Sequence, residues 1–298
     1  MWISNDIKYN FFWNGLCAYA LHPHVVEPAY WGAVETVVSL ESCADLNRLQ
    51  KNTAQIIRAT DRCAEAHRRC RKLIAAAASL LADNAGIAKD TLDSQKVLRY
   101  ADALADREFV SRPESGNPPP GQKKESRRFL SAVTPEGIVA FTHTVPSLCA
   151  RIYAIQDDYG AAAGVCFSRL RQRALEAGET FFSCPCPLSP HEQSEHLLLS
   201  SAGIGFTTSN IWHKVDYPVY RRIHATRFYH NDKLRAKKQM LSFNIKAAKE
   251  LLSEAVLAAR EAKSHHDDME RFHIEAMDWQ AVEKLKTVLI QEIEKLYI

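Results

Sequence analysis

From Leu46 to Leu81, small and apolar residues return in steps of three and four: Leu46, Leu49, Thr53, Ile56, Thr60, Cys63, His67, Cys70, Ile74, Ala77 and Leu81. That period marks one face of an α-helix, so the stretch is expected to fold as a single long helix with a buried stripe. The pattern returns after a shift of 185 residues, which takes Asp93 to Asp278 and Gln95 to Gln280. Leu234, Leu241, Ile245, Ala248, Leu252, Ala255, Ala259 and Ala262 then occupy the equivalent stripe. Each copy predicts a helix of roughly 30 residues, about 45 Å long. A second helix follows each, near 94–108 and near 279–296, with Asp93 and Asp278 placed as N-caps. The expectation is an α/β chain of two repeated halves, each ending in a long antiparallel helical hairpin arm.

The same register aligns Leu16-Cys17-Ala18-Tyr19-Ala20-Leu21 with Ser201-Ala202-Gly203-Ile204-Gly205-Phe206, apolar runs that read as buried strands. Polar turns are expected after them, at His22-Pro23-His24 and Thr207-Thr208-Ser209. Between the copies, Pro113, Gly116, Pro118, Pro119, Pro120 and Gly121 lie among charges, a linker composition. The division is a first half over 1–110, a linker over 111–127 and a second half over 128–298, within the span of two ordinary domains.

Charge and cysteine usage narrow the partners. Thirty-eight basic residues against 35 acidic ones leave a net +3, too small to imply a nucleic-acid or membrane surface. Local basic runs at Arg68-Arg69, Arg127-Arg128, Arg221-Arg222 and Lys233 to Lys238 are interleaved with acids and read as solvated helix faces. No segment approaches 18 uninterrupted apolar residues, so no membrane span is expected. Eight scattered cysteines lack the density of a disulfide scaffold and favour a reducing compartment, by default the cytoplasm.

After the linker, Phe129 to Val133 and Ile138 to Phe141 read as strands around the turn Thr134-Pro135-Glu136-Gly137. A third strand, Arg151-Ile152-Tyr153-Ala154-Ile155, runs into Gln156-Asp157-Asp158-Tyr159-Gly160-Ala161-Ala162-Ala163-Gly164 and then a helix from about Val165 to Ala177, closed by Gly178. Strand, small-residue loop and helix form the setting of a phosphate loop, where backbone N–H groups and a helix N-terminus attract anions.

On these segments the second half resembles an uncharacterised bacterial family of tandem P-loop ATPase-like proteins. The resemblance rests on Phe129 to Gly137, Ile152 to Cys166, Phe181 to Pro185, Gly205 to Asn210 and the tail from His266 to Val282. The first half is similar through His22 to Pro28 and Gly32-Ala33-Val34-Glu35. The resemblance implies a P-loop NTPase fold, ATP and Mg²⁺ as ligands, and a degenerate nucleotide loop at Gly160, Ala161, Ala162, Ala163, Gly164, Val165 and Cys166. A family loop reads G-x-x-x-x-G-K-[ST]; here Asp157 falls at the first glycine, Ala162 at the second, Ala163 at the lysine and Gly164 at the hydroxyl residue. A frame starting at Tyr159 leaves Val165 and Cys166 after the glycine instead. The lysine that holds the β and γ phosphates and the hydroxyl that ligates Mg²⁺ are both missing. Asp157 and Asp158 add repulsion beside the expected phosphate. The matching loop of the first half would fall about 25 residues before Met1, so that half is expected to be truncated.

Other constellations point less far. Cys184-Pro185-Cys186 with His191 and His196 has zinc-binding residue types, but the cysteine spacing is shorter than zinc knuckles use. Cys63, His67 and Cys70 share a helix face that also reads as a packing seam, and His265-His266-Asp267-Asp268 reads as a solvated helix end. No metal site is therefore expected, and weak or lost ATP binding without hydrolysis is the leading functional expectation. The long stripes leave open a second role, in which the arms bind a protein partner or another copy of the chain. Arm-mediated nucleic-acid binding is a third.

Overall fold

A computed structural model describes residues 40–109, 125–141, 143–188 and 194–296. The expected strand at 16–21, its turn, most of the linker and His191 lie outside these residues. Among the described residues the chain divides into two compact units, one of 67–260 and one of 40–66 with 261–296.

In chain order the helices are α1 (Leu46–Lys51), α2 (Thr53–Lys89), α3 (Ser94–Glu108), α4 (Thr144–Leu148), α5 (Ala161–Glu176), α6 (Asn231–Ala236), α7 (Lys238–Ala276) and α8 (Trp279–Leu296). The strands are β1 (Glu125–Arg127), β2 (Ser131–Thr134), β3 (Gly137–Ala140), β4 (Arg151–Gln156), β5 (Phe181–Pro185), β6 (Ser194–Leu199), β7 (Ile204–Ser209) and β8 (Arg221–His224). The fold is mixed α/β, and the described helices include none long and apolar enough to cross a membrane.

The larger unit is built on a six-stranded sheet ordered β1-β5-β6-β7-β4-β8, with β6 alone antiparallel to its neighbours. Alternation along the strands gives the sheet two apolar faces. Tyr153, Ile155, Leu197, Leu199 and Phe206 point to α3 and α5, whose Val97, Ala101, Leu104, Phe167 and Leu170 are all but fully buried. Ile152, Cys184 and Leu198 point the other way, beneath Leu130 and Val145. Gly205 belongs to that second face, where an added Cβ would stand 3.1 Å from the Cβ of Cys149.

Helix α5 ends as its sequence predicts. Gly178 turns left-handed at φ 75°, its N–H reaches the Leu175 carbonyl, and Glu179 N–H reaches that of Ala174. The start of α5 differs from expectation. It begins at Ala161, not near Val165, because Gly160 adopts φ 76° and turns the chain straight from β4 into the helix. Two further expectations are corrected. Glu125–Arg127, placed in the linker, forms β1 and pairs in parallel with β5, so backbone partners replace solvent there. Thr207-Thr208-Ser209, expected as a turn, continues β7 between β4 and β6.

In the larger unit α2 and α7 pack antiparallel. Cys70 clusters with Ala255, Ala258 and Ala259, Ala77 with Ala248 and Leu252, and the Asn84 amide donates to the Leu241 carbonyl at 3.0 Å. Alanine and cysteine at the seam let two helices approach closely. The Asn244 amide donates to Asn84 at 2.9 Å and to Asp83 at 2.7 Å, a polar contact that fixes register. The long helical pair thus joins α2 to α7. The expected return helix of the first arm, α3, instead packs on α5, where Arg169 and Arg173 hold Asp102. An amphipathic helix goes where its apolar stripe is buried, and the stripe of α3 fits α5.

In the smaller unit Cys63 and Ala66 cluster with Ala262, and Arg48 pairs with Glu275 at 2.9 Å. A 3-10 turn at Glu41–Cys43 precedes α1, which Asp45 caps through the N–H groups of Asn47 and Arg48. Asp278 caps α8 through Gln280 and Ala281, as expected. Asp45 N–H donates to the Ala276 carbonyl and Asp278 N–H to that of Cys43. Each bond has a counterpart in the larger unit: His230 N–H to Thr91 and Asp93 N–H to Phe228. The bridge Ala44 to Met277 likewise matches Tyr229 to Leu92. All these pairs, and the starts of α1 with α6 and α2 with α7, are related by the same 185-residue shift.

Candidate functional site

Strands β4 and β7 lie side by side and parallel, yet their connections leave on opposite sides. The chain from β4 passes through α5 toward β5, and the chain from β7 passes beyond β4 to β8. The carboxyl ends of the parallel strands in an open α/β sheet are the usual ligand position in this architecture. A cavity of about 140 Å³ opens there, within the larger unit. Leu81, Val133, Ile138, Leu188 and Trp212 give it apolar walls, and Asp158, Glu195, Asn210 and His213 supply polar groups.

One residue before the cavity-lining Asp158, Asp157, 2% exposed, turns back onto α5. One carboxyl oxygen accepts from Ala163 N–H at 2.9 Å, and the other from the Tyr229 hydroxyl at 3.0 Å and Tyr159 N–H at 3.2 Å. Tyr229 also accepts from Ala162 N–H at 3.0 Å. The chain's own carboxyl and phenol therefore take the N–H groups with which a helix N-terminus would hold an anion. Burial pushes the Asp157 carboxyl up, against the pull of the four donors around it. The Tyr229 phenol is pushed up too, first by burial and then by that carboxyl.

The seven residues expected to form a degenerate loop are Gly160, the left-handed N-cap, and the first turns of α5. Ala161, Ala162, Ala163, Gly164 and Cys166 are buried, and Val165 is half-buried. Gly160, Ala163 and Gly164 border the cavity. Burial pushes the Cys166 thiol up to about 12, so it is inert as a nucleophile near neutral pH. Asp158 is exposed and lines the cavity mouth.

The zinc-type residues are redistributed by the strands. Cys184 is buried on the second face, its thiol pushed up to about 12 by burial, while Cys186 borders the cavity. His196 sits opposite Thr207 in the β6–β7 register, and its Nδ1 lies 2.6 Å from the threonine Oγ1. Burial, helped by the neighbouring His213, lowers the His196 pKa to about 3. The His213 ring stands 5.4 Å from it, and its Nε2 is 3.2 Å from Thr208 Oγ1. Asn210 clamps that loop, its side chain accepting from Trp212 and His213 N–H. Cys63 and Cys70 are seam residues, as one of their two readings had it. His265 to Asp268 lies inside α7 rather than at its end, with Asp267 paired to Lys263 and Asp268 to Arg271.

Sequence reasoning missed Tyr229, Glu195 and His213. Tyr229 carries no local signal, standing 72 residues from its carboxyl partner. His213 could have been noticed as the residue closing the Asn210 turn, where an Asn side chain mimics a backbone acceptor. No protein-family model, curated protein or solved structure matches the chain.

Proposed function

We propose that this chain is a P-loop NTPase-like α/β protein of two repeated halves that has given up phosphoryl chemistry, and that its cleft takes a small neutral or cationic molecule. Asp157 carries the reading, because its carboxyl uses the Ala163 N–H that a bound phosphate would need. Asp158 and Glu195 at the cavity add negative charge against a phosphate, and among the described residues no lysine or arginine lines it. The 185-residue correspondence of helix starts and backbone bonds supports the repeat. ATP and Mg²⁺ bind weakly or not at all on this reading, and a reducing, cytoplasmic setting suits cysteines scattered without the density of a disulfide scaffold. Calorimetric titration with Mg-ATP, ADP and inorganic phosphate tests it. No saturable heat and no thermal shift are expected; tight binding with steady turnover would overturn it.

A second reading gives the arms an interaction role, with another copy or a protein partner. It is favoured by Phe243 and Leu257, 66% and 51% exposed and two heptads apart on α7. Light scattering across a concentration series tests the self-assembly form, which a monomer at every concentration removes.

A further inference from the structure

We propose that Glu195, His196 and His213 form a binding site for one divalent transition-metal ion of the zinc type at the rim of the cleft. A carboxylate oxygen of Glu195 and one ring nitrogen from each histidine lie within 4.8 Å of one another. Donors on a tetrahedral ion stand about 3.3 Å apart, given metal–ligand bonds of about 2.0–2.1 Å. Small rotations of the half-buried Glu195 and His213 close that difference around the buried His196.

The surrounding hydrogen bonds prepare both rings. Thr208 Oγ1 donates its proton to the Glu195 carbonyl at 3.1 Å, so it can only accept from His213 Nε2–H. Thr207 Oγ1 has an outlet in the Thr208 carbonyl at 3.4 Å and accepts from His196 Nδ1–H. These tautomers leave one lone pair on each imidazole, His213 Nδ1 and His196 Nε2. A hydrogen bond from the second ring nitrogen is how metal-bound histidines are oriented. Strand pairing fixes His196, and the Asn210 clamp fixes the backbone of His213. The ligands therefore come from two rigid supports rather than one flexible loop.

Two neutral imidazoles and a carboxylate favour zinc-like ions over Mg²⁺ or Ca²⁺, which prefer oxygen ligands throughout. Three protein ligands leave a coordination position free. Glu195 and His213 border the cavity, so the site adjoins the cleft. The site stands or falls independently of whether any nucleotide binds at α5.

The test uses the full chain, stripped with chelator and titrated with Co²⁺ and Zn²⁺. One equivalent of Co²⁺ is expected to give visible ligand-field absorption without a thiolate charge-transfer band, and Zn²⁺ to displace it. Glu195→Gln should weaken binding by at least about tenfold. His213→Ala, checked for unchanged metal-free unfolding, should abolish the absorption. Asp267→Ala, in the separate His266, Asp267 and Glu270 cluster of the smaller unit, should leave it unchanged. The proposal is overturned if the chain gives no such absorption, if a thiolate band dominates, or if Glu195→Gln and His213→Ala both bind like the unaltered chain.

Discussion

The Tyr229 hydroxyl donates to the Asp157 carboxyl at 3.0 Å while accepting from the Ala162 N–H at the same distance. One phenol thus ties the end of β4 to the first turn of α5. Tyr229→Phe leaves the Ala162 N–H and a buried carboxyl oxygen short of a partner, and should destabilise the chain by about 1–3 kcal/mol. Urea unfolding of the two proteins measures the difference.

Asp157→Asn probes the same contact through pH. Burial raises the folded pKa of the carboxyl above its unfolded value, so its contribution is fully present below the unfolded pKa and is lost as pH rises through the folded one. The stability of Asp157→Asn relative to the unaltered chain should therefore improve as pH rises. Unfolding midpoints compared from pH 4 to pH 8, roughly the span above the ordinary Asp value, follow this; a constant gap would contradict it.

Glu108 has the opposite sign. Burial pushes its carboxyl up, but donors from Tyr153 at 2.6 Å, Arg107 at 2.9 Å and Arg151 at 3.0 Å outweigh this and hold it below the usual carboxylate range. Its stabilisation is present above the unfolded pKa, near 4.3, and is lost as pH falls through the lower folded value. Glu108→Gln should cost about 2–3 kcal/mol at neutral pH, since both arginines are half exposed, and should flatten the acid limb of the stability curve.

Ala77 is wholly buried where α2 meets Ala248 and Leu252 of α7. Ala77→Leu forces extra methylenes into that seam and should destabilise by about 1–3 kcal/mol, read from the urea midpoint. Ala76→Leu makes the same exchange one residue earlier, at an exposed position of α2. It should change stability by no more than about 0.5 kcal/mol.

Much of the scaffold was legible because it depends on neighbours in sequence. The three-four stripe marked α2 and α7, although breaks at Asn52 and Lys237 set its first turns apart as α1 and α6 rather than one continuous helix. Asp93 and Asp278 marked the starts of α3 and α8, and Gly178 marked the end of α5. Pairing was not legible in the same way. Nothing local tells α3 to lie on α5, or α2 to choose α7, because either stripe suits any helix with small residues at the right spacing. The site was hidden for a related reason. The strand, loop and helix at Gly160 were visible, but the capping of that helix by Asp157 and Tyr229 depends on a residue from beyond β8. Glu195 and His213 likewise meet only once β6 and β7 are paired.

The α2–α7 seam also bears on how the chain is made. Asn84 reaches Leu241 across a sequence separation of 157 residues. Synthesis at about 5–20 residues per second leaves the seam side of α2 without its partner for roughly 10–30 seconds. During that interval Cys70 and Ala77 at the centre of the seam, flanked by Leu73, Ile74, Leu80 and Leu81, face water with only half of the helix pair present. The small central side chains lose little by waiting, whereas the larger flanking ones expose apolar surface until α7 is made. An element translated early and completed late thus keeps its bulk at the edges of the seam.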